Sequence, residues 1–321
     1  MSIHIVANLT ARGLRGEPGR ASRHDALKAA ARGRATLHQT TSVSSLAPLF
    51  SEILRSDCSF LILAGGDGTF MSGATALFHA QRGVRRPAFP TLGLLPLGTV
   101  GTIARNFGPR KGVDELLEEW LTASSRLRVV PRPSLLVRST LDGVHEERVG
   151  FIVGTGLVAQ FFDEYEARGA AGTLLAARIV ARVFAESFRG GPLAAKILTP
   201  TPCELTIDGS AQTNRAVSLF LASVVRDLGL SMKVCYRAGE VPGRFHVVAS
   251  SLPPAELGPR APLVMLGRRI GGREHVDTLA GSVALGFTNG EGRFVLDGDL
   301  FRAERFTVEA GPIFPIVGPG L

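Results

Sequence analysis

Cysteine is scarce in this sequence, and its three residues, Cys58, Cys203 and Cys235, stand at unrelated spacings. An odd number of scattered cysteines supplies neither a disulfide framework nor the paired spacing of a zinc site. Long apolar runs are also lacking, so no membrane-spanning helix of about 18 or more residues is expected. The opening MSIHIVANLT does not resemble a signal peptide. We therefore expect a cytoplasmic protein that meets membranes only at their surface.

Metal-ligand and nucleic-acid patterns are missing as well. The seven histidines show no ligand spacing, and no basic run is interleaved with aromatic residues. What the chain does have is a basic surplus, with 36 lysines and arginines against 28 acidic residues and a formal charge of +8. Such a surplus suits an anionic partner, for example a nucleotide or an acidic membrane surface. We expect no nucleic-acid partner.

The first third of the chain alternates between two kinds of segment. Apolar strand-like runs, beginning with IHIVAN at 3–8, alternate with helix-like runs, ending with VDELLEEWL at 113–121. This alternation predicts an α/β domain, a Rossmann-like parallel sheet covered by helices. The single tryptophan, Trp120, lies on the last of these helices and is expected in the core.

The rest of the chain has a different texture, and the 321 residues favour two domains. Short strands are separated by tight-turn pairs such as Asp142-Gly143, which predicts an antiparallel β-sandwich. One long helix, roughly 171–188, interrupts these strands. The change of texture falls near Arg128–Ser134 and marks the expected domain boundary.

Two glycine-rich segments each follow a strand and open a helix. In LAGGDGTFMSG, Gly65, Gly66 and Gly68 would let a phosphate chain lie against the backbone. Asp67 between them repels phosphate, so it fits a role toward Mg²⁺ or as a proton acceptor, unless it is only a helix cap. The second segment, PLGTVGTIARNFG at 96–108, would meet the first at the carboxyl edge of a parallel sheet. Together they predict a nucleotide site.

These motifs resemble a known family. GGDGT with the downstream PLGT and AR is similar to the catalytic domain shared by diacylglycerol, sphingosine and ceramide kinases and their bacterial relatives. LDGDLF at 296–301 resembles the family's Asp-Gly-Glu sequence. The resemblance covers most of the chain. It implies a nucleotide-binding α/β domain over residues 1–130 and a lipid-binding β-sandwich over 131–302, with a tail of about 303–321 returning to the first domain.

The resemblance also implies a role for each residue that matches a motif. Asp297 would be the leading general base toward the lipid hydroxyl, Asp67 the second candidate, and Asp299 an acidic neighbour that contacts Mg²⁺. The residues expected to line the ATP phosphates are Asn8, Gly65, Gly66, Gly68, Thr69, Gly98 and Thr99.

Two departures from the family pattern leave the nucleotide and the lipid open. Where the family carries Asn, often Asn-Asp, this chain has Gly101-Thr102, and its third acid is Asp299 instead of Glu. The implied function is an ATP- and Mg²⁺-dependent kinase that phosphorylates a free hydroxyl of diacylglycerol, ceramide or a sphingoid base. The alternatives are an NAD kinase, although no Asn-Glu pair for a dinucleotide is found, and a catalytically weak lipid- or nucleotide-binding regulator.

The expected partner is a lipid substrate at an anionic membrane surface. The helix-like stretch at 172–191 places Arg178, Arg182 and Arg189 on one side, beside apolar residues. A basic stripe of this kind suits peripheral membrane association, while a helix packed on the core with a solvated basic face is the alternative. A homodimer is left open.

Overall fold

The computed structural model describes residues 2–9, 23–84, 88–98, 101–167, 173–229 and 232–319. The chain separates into two compact units: unit 1 is Met1–Pro133 with Pro312–Leu321, and unit 2 is Ser134–Gly311. None of the helices in these ranges combines the length and apolar character that crossing a bilayer requires.

The regular elements follow one another along the chain in a βα half, a β-rich half and a returning strand. Unit 1 begins with β1 (Ser2–Asn8), α1 (Arg23–Ala31), β2 (Thr36–Thr40), α2 (Leu46–Arg55), β3 (Cys58–Gly65), α3 (Asp67–Val84), β4 (Thr91–Pro96), α4 (Thr102–Phe107), α5 (Val113–Thr122) and β5 (Val129–Arg132). Unit 2 begins with β6 (Leu135–Leu141), β7 (Val144–Gly150), β8 (Ile152–Gly156), α6 (Leu157–Ala167), α7 (Thr173–Ser187), α8 (Pro192–Leu198), β9 (Thr201–Ile207), β10 (Ser210–Ala211), β11 (Ala216–Val217) and β12 (Leu219–Ser223). It continues with β13 (Phe245–Ser250), α9 (Pro254–Leu257), α10 (Ala261–Met265), β14 (Val276–Ala280), β15 (Ser282–Phe287), β16 (Gly292–Leu296), β17 (Asp299–Ala303) and β18 (Arg305–Ala310), and β19 (Phe314–Val317) returns to unit 1.

Unit 1 is built on one sheet with the strand order β2-β1-β3-β4-β19-β5. Every neighbouring pair is parallel except β19 with β5. The central strand β3 is buried along almost its whole length, as its apolar sequence requires in a sheet with both faces covered. Trp120 is fully buried and packs edge-on against Phe60, and a Cβ on Gly93 would stand 2.8 Å from its ring. The predicted parallel α/β domain and its core tryptophan are confirmed.

Unit 2 contains two antiparallel sheets. Their strand orders are β10-β9-β15-β18-β6-β7, with β11 beside β9, and β14-β13-β12-β8-β16-β17. Phe220 and Phe294 of the second sheet contact Phe306 of the first, with ring centroids 6.0 and 4.9 Å apart, and all three are buried. The sheets therefore pack face to face around an aromatic core, as the predicted sandwich requires.

Unit 2 contains the expected long helix and several shorter helices that the sequence analysis did not name. The long helix is present as α7, but the described part of unit 2 also has α6, α8, α9 and α10. Ile179 of α7 and Leu193 and Ile197 of α8 share a buried cluster with Leu219 and Leu221 of β12. Helices this short are only weakly favoured by their own sequences, because packing of their apolar side chains on the second sheet provides most of their stability.

Candidate active site

The first glycine loop is a tight junction at the carboxyl edge of the unit 1 sheet. Strand β3 ends at Gly65 and helix α3 begins at Asp67, which leaves one residue between them. A Cβ on Gly65 would stand 2.3 Å from the Thr69 hydroxyl oxygen, so a side chain at this position would collide with the first turn of α3. Gly65 is therefore required by packing inside the loop itself.

The end of the neighbouring strand β1 is tied to the same loop. The side-chain amide of Asn8 donates a hydrogen bond of 2.9 Å to the hydroxyl of Thr69. Both side chains are partly exposed. The structure thus brings together Asn8, Gly65 and Thr69, three residues that the family resemblance assigned to nucleotide binding.

The two glycine loops approach each other through their backbones. A Cβ on Gly98 would stand 2.5 Å from Gly66 Cα, and one on Gly66 would stand 3.2 Å from Gly98 Cα. The amide of Leu97 also donates to the carbonyl of Gly65, at 2.7 Å. These glycines therefore allow the two loops to contact each other. From the sequence alone, the glycines are explained only by the approach of a phosphate chain to the backbone. Thr99, expected to contact phosphate, lies outside the described residues.

Asp67 is the residue that joins the loops. Its two carboxylate oxygens accept hydrogen bonds from the backbone amides of Thr102 and Ile103, each at 2.9 Å. These amides are in the first turn of α4, whose N-terminal donors have no partner within the helix. Asp67 thus caps α4, a helix that begins 35 residues later in the chain. The cap considered as an alternative in the sequence analysis was a cap of α3, the helix that Asp67 itself begins.

The environment of Asp67 acts on its pKa in opposite directions. Burial raises the pKa of the carboxyl above its ordinary value, while the bonds from Ile103 and Thr102 and the charge of Arg105 lower it. The result is a raised pKa. A carboxyl of this kind is characteristic of functional sites, although structural caps also shift the pKa of their acids.

The sequence did not single out Thr102 as a partner of Asp67. Its side chain is buried and also bonds to Asp67, so the carboxylate faces a hydroxyl and two amides. The only signal in the sequence was the departure from the family pattern, in which an acid often stands at this position.

Asp297 lies in a hairpin turn of unit 2, and Asp299 is the first residue after that turn. Asp297 and Gly298 connect β16 to β17 and have φ values of 51° and 97°. Positive φ at both central residues is the geometry of the primed turns that Asp-Gly favours. The predicted turn at Asp297-Gly298 is therefore confirmed, whereas the catalytic role of Asp297 stays a prediction.

The Asp297 carboxylate is buried and held by backbone donors of the neighbouring strand. Its Oδ1 accepts from the amides of Phe151 and Ile152 at 3.1 and 2.8 Å, and its Oδ2 lies 3.0 Å from the Phe151 nitrogen. A Cβ on Gly150 would stand 2.7 Å from Oδ2. Asp297 therefore links the hairpin turn to the start of β8, and Gly150 leaves room for that contact.

Asp299 is more accessible than either of the other two acids. It is the first residue of β17 and is exposed. Within the ranges that the structure describes, no group of three or more His, Cys, Asp or Glu side chains is placed to hold a metal ion. Mg²⁺ commonly binds through one or two carboxylates together with substrate phosphates, and an exposed single carboxylate suits that mode better than a dedicated protein cage.

Comparisons with known proteins place these observations in a family. The family model of the diacylglycerol kinase catalytic domain matches residues 4–130. A candidate diacylglycerol kinase from Bacillus anthracis str. Sterne has a TM-score of 0.66 at 16% identity, covering 99% of this chain and 96% of that one. A diacylglycerol kinase structure from the same organism gives 0.62 at 14% identity, with coverage of 99% and 96%. Yeast NADH kinase complexed with NADH gives 0.52 at 11% identity, with coverage of 99% and 83%. No curated protein matches the chain.

The domain match is the finding that points to a kinase, because it concerns the catalytic domain of a kinase family over residues 4–130. At these identities the solved structures show the fold alone, while the sequence match concerns the unit that holds the two glycine loops. Residues 4–130 belong to the diacylglycerol kinase catalytic-domain family, and the resemblance that rested on GGDGT and PLGT is confirmed for this part of the chain.

Proposed function

We propose that this protein is an ATP- and Mg²⁺-dependent kinase that phosphorylates a free hydroxyl of a membrane lipid. The observation that carries the proposal is the pair of glycine loops that Asp67 holds together inside the matched kinase domain. Diacylglycerol, ceramide and sphingoid bases all remain candidate acceptors, and the cell compartment that fits such an enzyme is the cytoplasmic face of a membrane.

Unit 1 supplies the groups that would bind the nucleotide phosphates. The long helix α3 begins at the first loop, and its N-terminal amides and helix dipole favour negative charge. Phosphoryl transfer depends mainly on positioning and on electrostatic stabilisation, so a loop pair held by several hydrogen bonds is suited to it. Mg²⁺, when bound with ATP, would offset the charge on the transferred phosphoryl group.

Unit 2 supplies the candidate groups for the acceptor hydroxyl. The resemblance assigns Asp297 as the general base and Asp299 as its acidic neighbour. The Asp297 carboxylate accepts the backbone amides of Phe151 and Ile152. Its backbone donors hold the carboxylate in one orientation, which is what a positioned proton acceptor needs.

A transfer assay tests the proposal directly. Purified protein would be incubated with labelled ATP and Mg²⁺ against diacylglycerol, ceramide and sphingosine in mixed micelles, with NAD in parallel. We expect label on at least one lipid and none on NAD. Label on NAD alone would refute the lipid-kinase proposal in favour of the dinucleotide alternative, and label on nothing would favour the regulator.

The Gly101 position offers a test of which nucleotide contacts matter. Gly101 precedes α4 with φ 62° and ψ 42°, the left-handed region, and among the described residues a Cβ there would lie 3.4 Å from Pro96 Cβ. Asn is among the few side chains that tolerate this conformation, so Gly101→Asn is expected to fold and to change the KM for ATP by several-fold with little effect on lipid preference. Steady-state kinetics with ATP and with other nucleoside triphosphates measure this.

The matched control for that substitution is Gly101→Ala. Alanine would adopt the same strained backbone but lacks the side-chain amide of asparagine. The Gly101→Ala variant is therefore expected to lose about 1–2 kcal/mol of stability without the change in nucleotide affinity. A switch of lipid preference in Gly101→Asn at unchanged nucleotide binding would contradict the assignment of this loop to the nucleotide.

Helix α7 is the part of unit 2 that we propose to meet the membrane. Arg178 and Leu174 of α7 are exposed, and so are Phe188 and Arg189. The helix ends at Ser187, so Arg189 lies just beyond it and not, as the sequence had suggested, on the same helix side as Arg178. Arg182 is different, because its Nε donates to Glu186 at 2.6 Å, and Glu186 in turn accepts amides from the first turn of α8. Arg182 therefore also stabilises the α7–α8 connection, which had not been expected from the sequence.

Replacing Arg178 and Arg189 together by Gln is expected to weaken binding to anionic vesicles. Each basic residue near such a surface contributes about 1 kcal/mol, so the pair corresponds to roughly 30-fold in affinity at low salt, and the effect should shrink as salt rises. Vesicle sedimentation and activity on vesicle-borne lipid measure it. Arg182→Gln alone is the control and should lower thermal stability more than vesicle binding. Equal loss of activity on a short-chain soluble analogue would mean that the arginines do not dock the protein.

A further inference from the structure

An aromatic side chain lies beside the turn at which the two candidate catalytic carboxylates, Asp297 and Asp299, stand. If Gly298 had a Cβ, the nearest atoms would be Cε1 and Cζ of Phe162, at 3.8 and 4.0 Å. The absence of a side chain at Gly298 thus leaves the ring of Phe162 next to the backbone between Asp297 and Asp299. Phe162 is partly exposed, and Asp299 is exposed.

Helix α6, which carries Phe162, is held in place by its neighbouring residues. Asp163 forms an ion pair with Arg293 of β16, the strand that leads into the turn. Phe161 and Tyr165 stack on each other with centroids 6.1 Å apart, and both pack against the buried cluster that α7, α8 and the second sheet share. The ring of Phe162 meets Tyr165 edge-on at 6.5 Å and lies on the side of the turn.

The two neighbouring phenylalanines therefore differ in surroundings. Both are partly exposed, but Phe161 packs against the buried cluster of unit 2, whereas the ring of Phe162 lies at the turn between Asp297 and Asp299. A partly exposed aromatic ring beside the backbone of a turn that has an aspartate on each side of Gly298 places an apolar group and candidate proton acceptors within a few residues. A molecule that fits both parts has a hydroxyl adjacent to hydrocarbon.

We infer that Phe162 is a specificity-determining residue for the acceptor, whose ring contacts the hydrocarbon next to the reacting hydroxyl. The inference rests on the proposed function and narrows its substrate class. The site would select an alcohol attached to a hydrocarbon chain over a free polyol or sugar. The ring acts through apolar contact with the acceptor, so nucleotide binding does not depend on it.

The test measures the KM for the acceptor separately from the KM for ATP. Wild type, Phe162→Ala and Phe162→Tyr would be assayed with dioctanoylglycerol, dispersed below vesicle-forming concentration, and with ATP varied separately. Losing a ring contact is expected to lower kcat/KM for dioctanoylglycerol about tenfold or more in Phe162→Ala, mainly through KM, with the KM for ATP unchanged. Phe162→Tyr keeps the ring and should retain most of the wild-type value.

The matched control is Phe161→Leu, one residue away on the same helix. It should lower the melting temperature, because Phe161 packs against the buried cluster, while leaving the KM for dioctanoylglycerol near wild type. If Phe162→Ala melts far below wild type, Phe162→Leu is assayed instead, and the same changes in the two KM values are expected.

The possible outcomes separate this inference from the proposed function. Transfer by the wild type with an unchanged KM for dioctanoylglycerol in the Phe162 variants would overturn the role of Phe162 alone. Equal changes in the KM for ATP and for the acceptor would overturn it too, because they indicate a structural effect. Absence of transfer to any lipid alcohol by the wild type would overturn the proposed function, and this inference with it.

Discussion

Asp67→Asn is expected to lower phosphoryl transfer by about 10²–10⁴-fold while the fold survives. The carboxylate accepts the amides of Thr102 and Ile103 at once, and an asparagine has only one oxygen with which to replace the two. The start of α4 would lose one of its two hydrogen bonds to residue 67 and shift relative to the first loop. A displacement of about 1 Å in a positioning element is enough to cost two orders of magnitude in rate.

The measurements are kcat, the KM for ATP and the melting temperature. Asp114→Asn is a suitable control, because Asp114 is an exposed aspartate in the first turn of a different helix, α5. Thr102→Val provides a graded variant that removes only the hydroxyl partner, and its effect should point the same way and be smaller. Near-normal activity in Asp67→Asn would show that the contact between the loops does not matter for transfer.

Asp297→Asn is expected to have two separable effects, on rate and on stability. If Asp297 accepts the proton of the lipid hydroxyl, turnover falls by about 10²–10⁴-fold. Its carboxylate also satisfies the amides of Phe151 and Ile152, and a buried donor left without a partner costs about 1–3 kcal/mol. Thermal unfolding and transfer kinetics on the same preparation measure the two effects.

The chain contains a matched control for this second substitution. Asp208, followed by Gly209, occupies another positive-φ hairpin turn, and its carboxylate accepts the amides of Gly281 and Ser282, each at 2.9 Å. Asp208→Asn should therefore lower stability, by less because the site is exposed, and leave turnover unchanged. If Asp297→Asn behaves in the same way, Asp297 is only a turn residue and the general base lies elsewhere.

Much of the fold is predictable because it rests on local patterns. Strands β1, β3 and β4 and helices α3 and α5 follow from apolar runs and helical spacing, and the structure moves their ends by only a few residues. The Asp142-Gly143 and Asp297-Gly298 pairs predict turns because only a few residue types accept positive φ at low cost. The short helices α8, α9 and α10 were missed, because tertiary packing decides whether segments of this length become helical.

The candidate site divides in the same way. By itself the sequence determined which residues stand at the two glycine loops and at the acidic hairpin, since turn chemistry and strand ends are local properties. Only the tertiary structure decided what those residues contact. Asp67 reaches amides 35 and 36 residues away, and Asp297 reaches amides 145 and 146 residues away. Such contacts depend on strand order and register, which bring together distant parts of the chain that no local pattern relates.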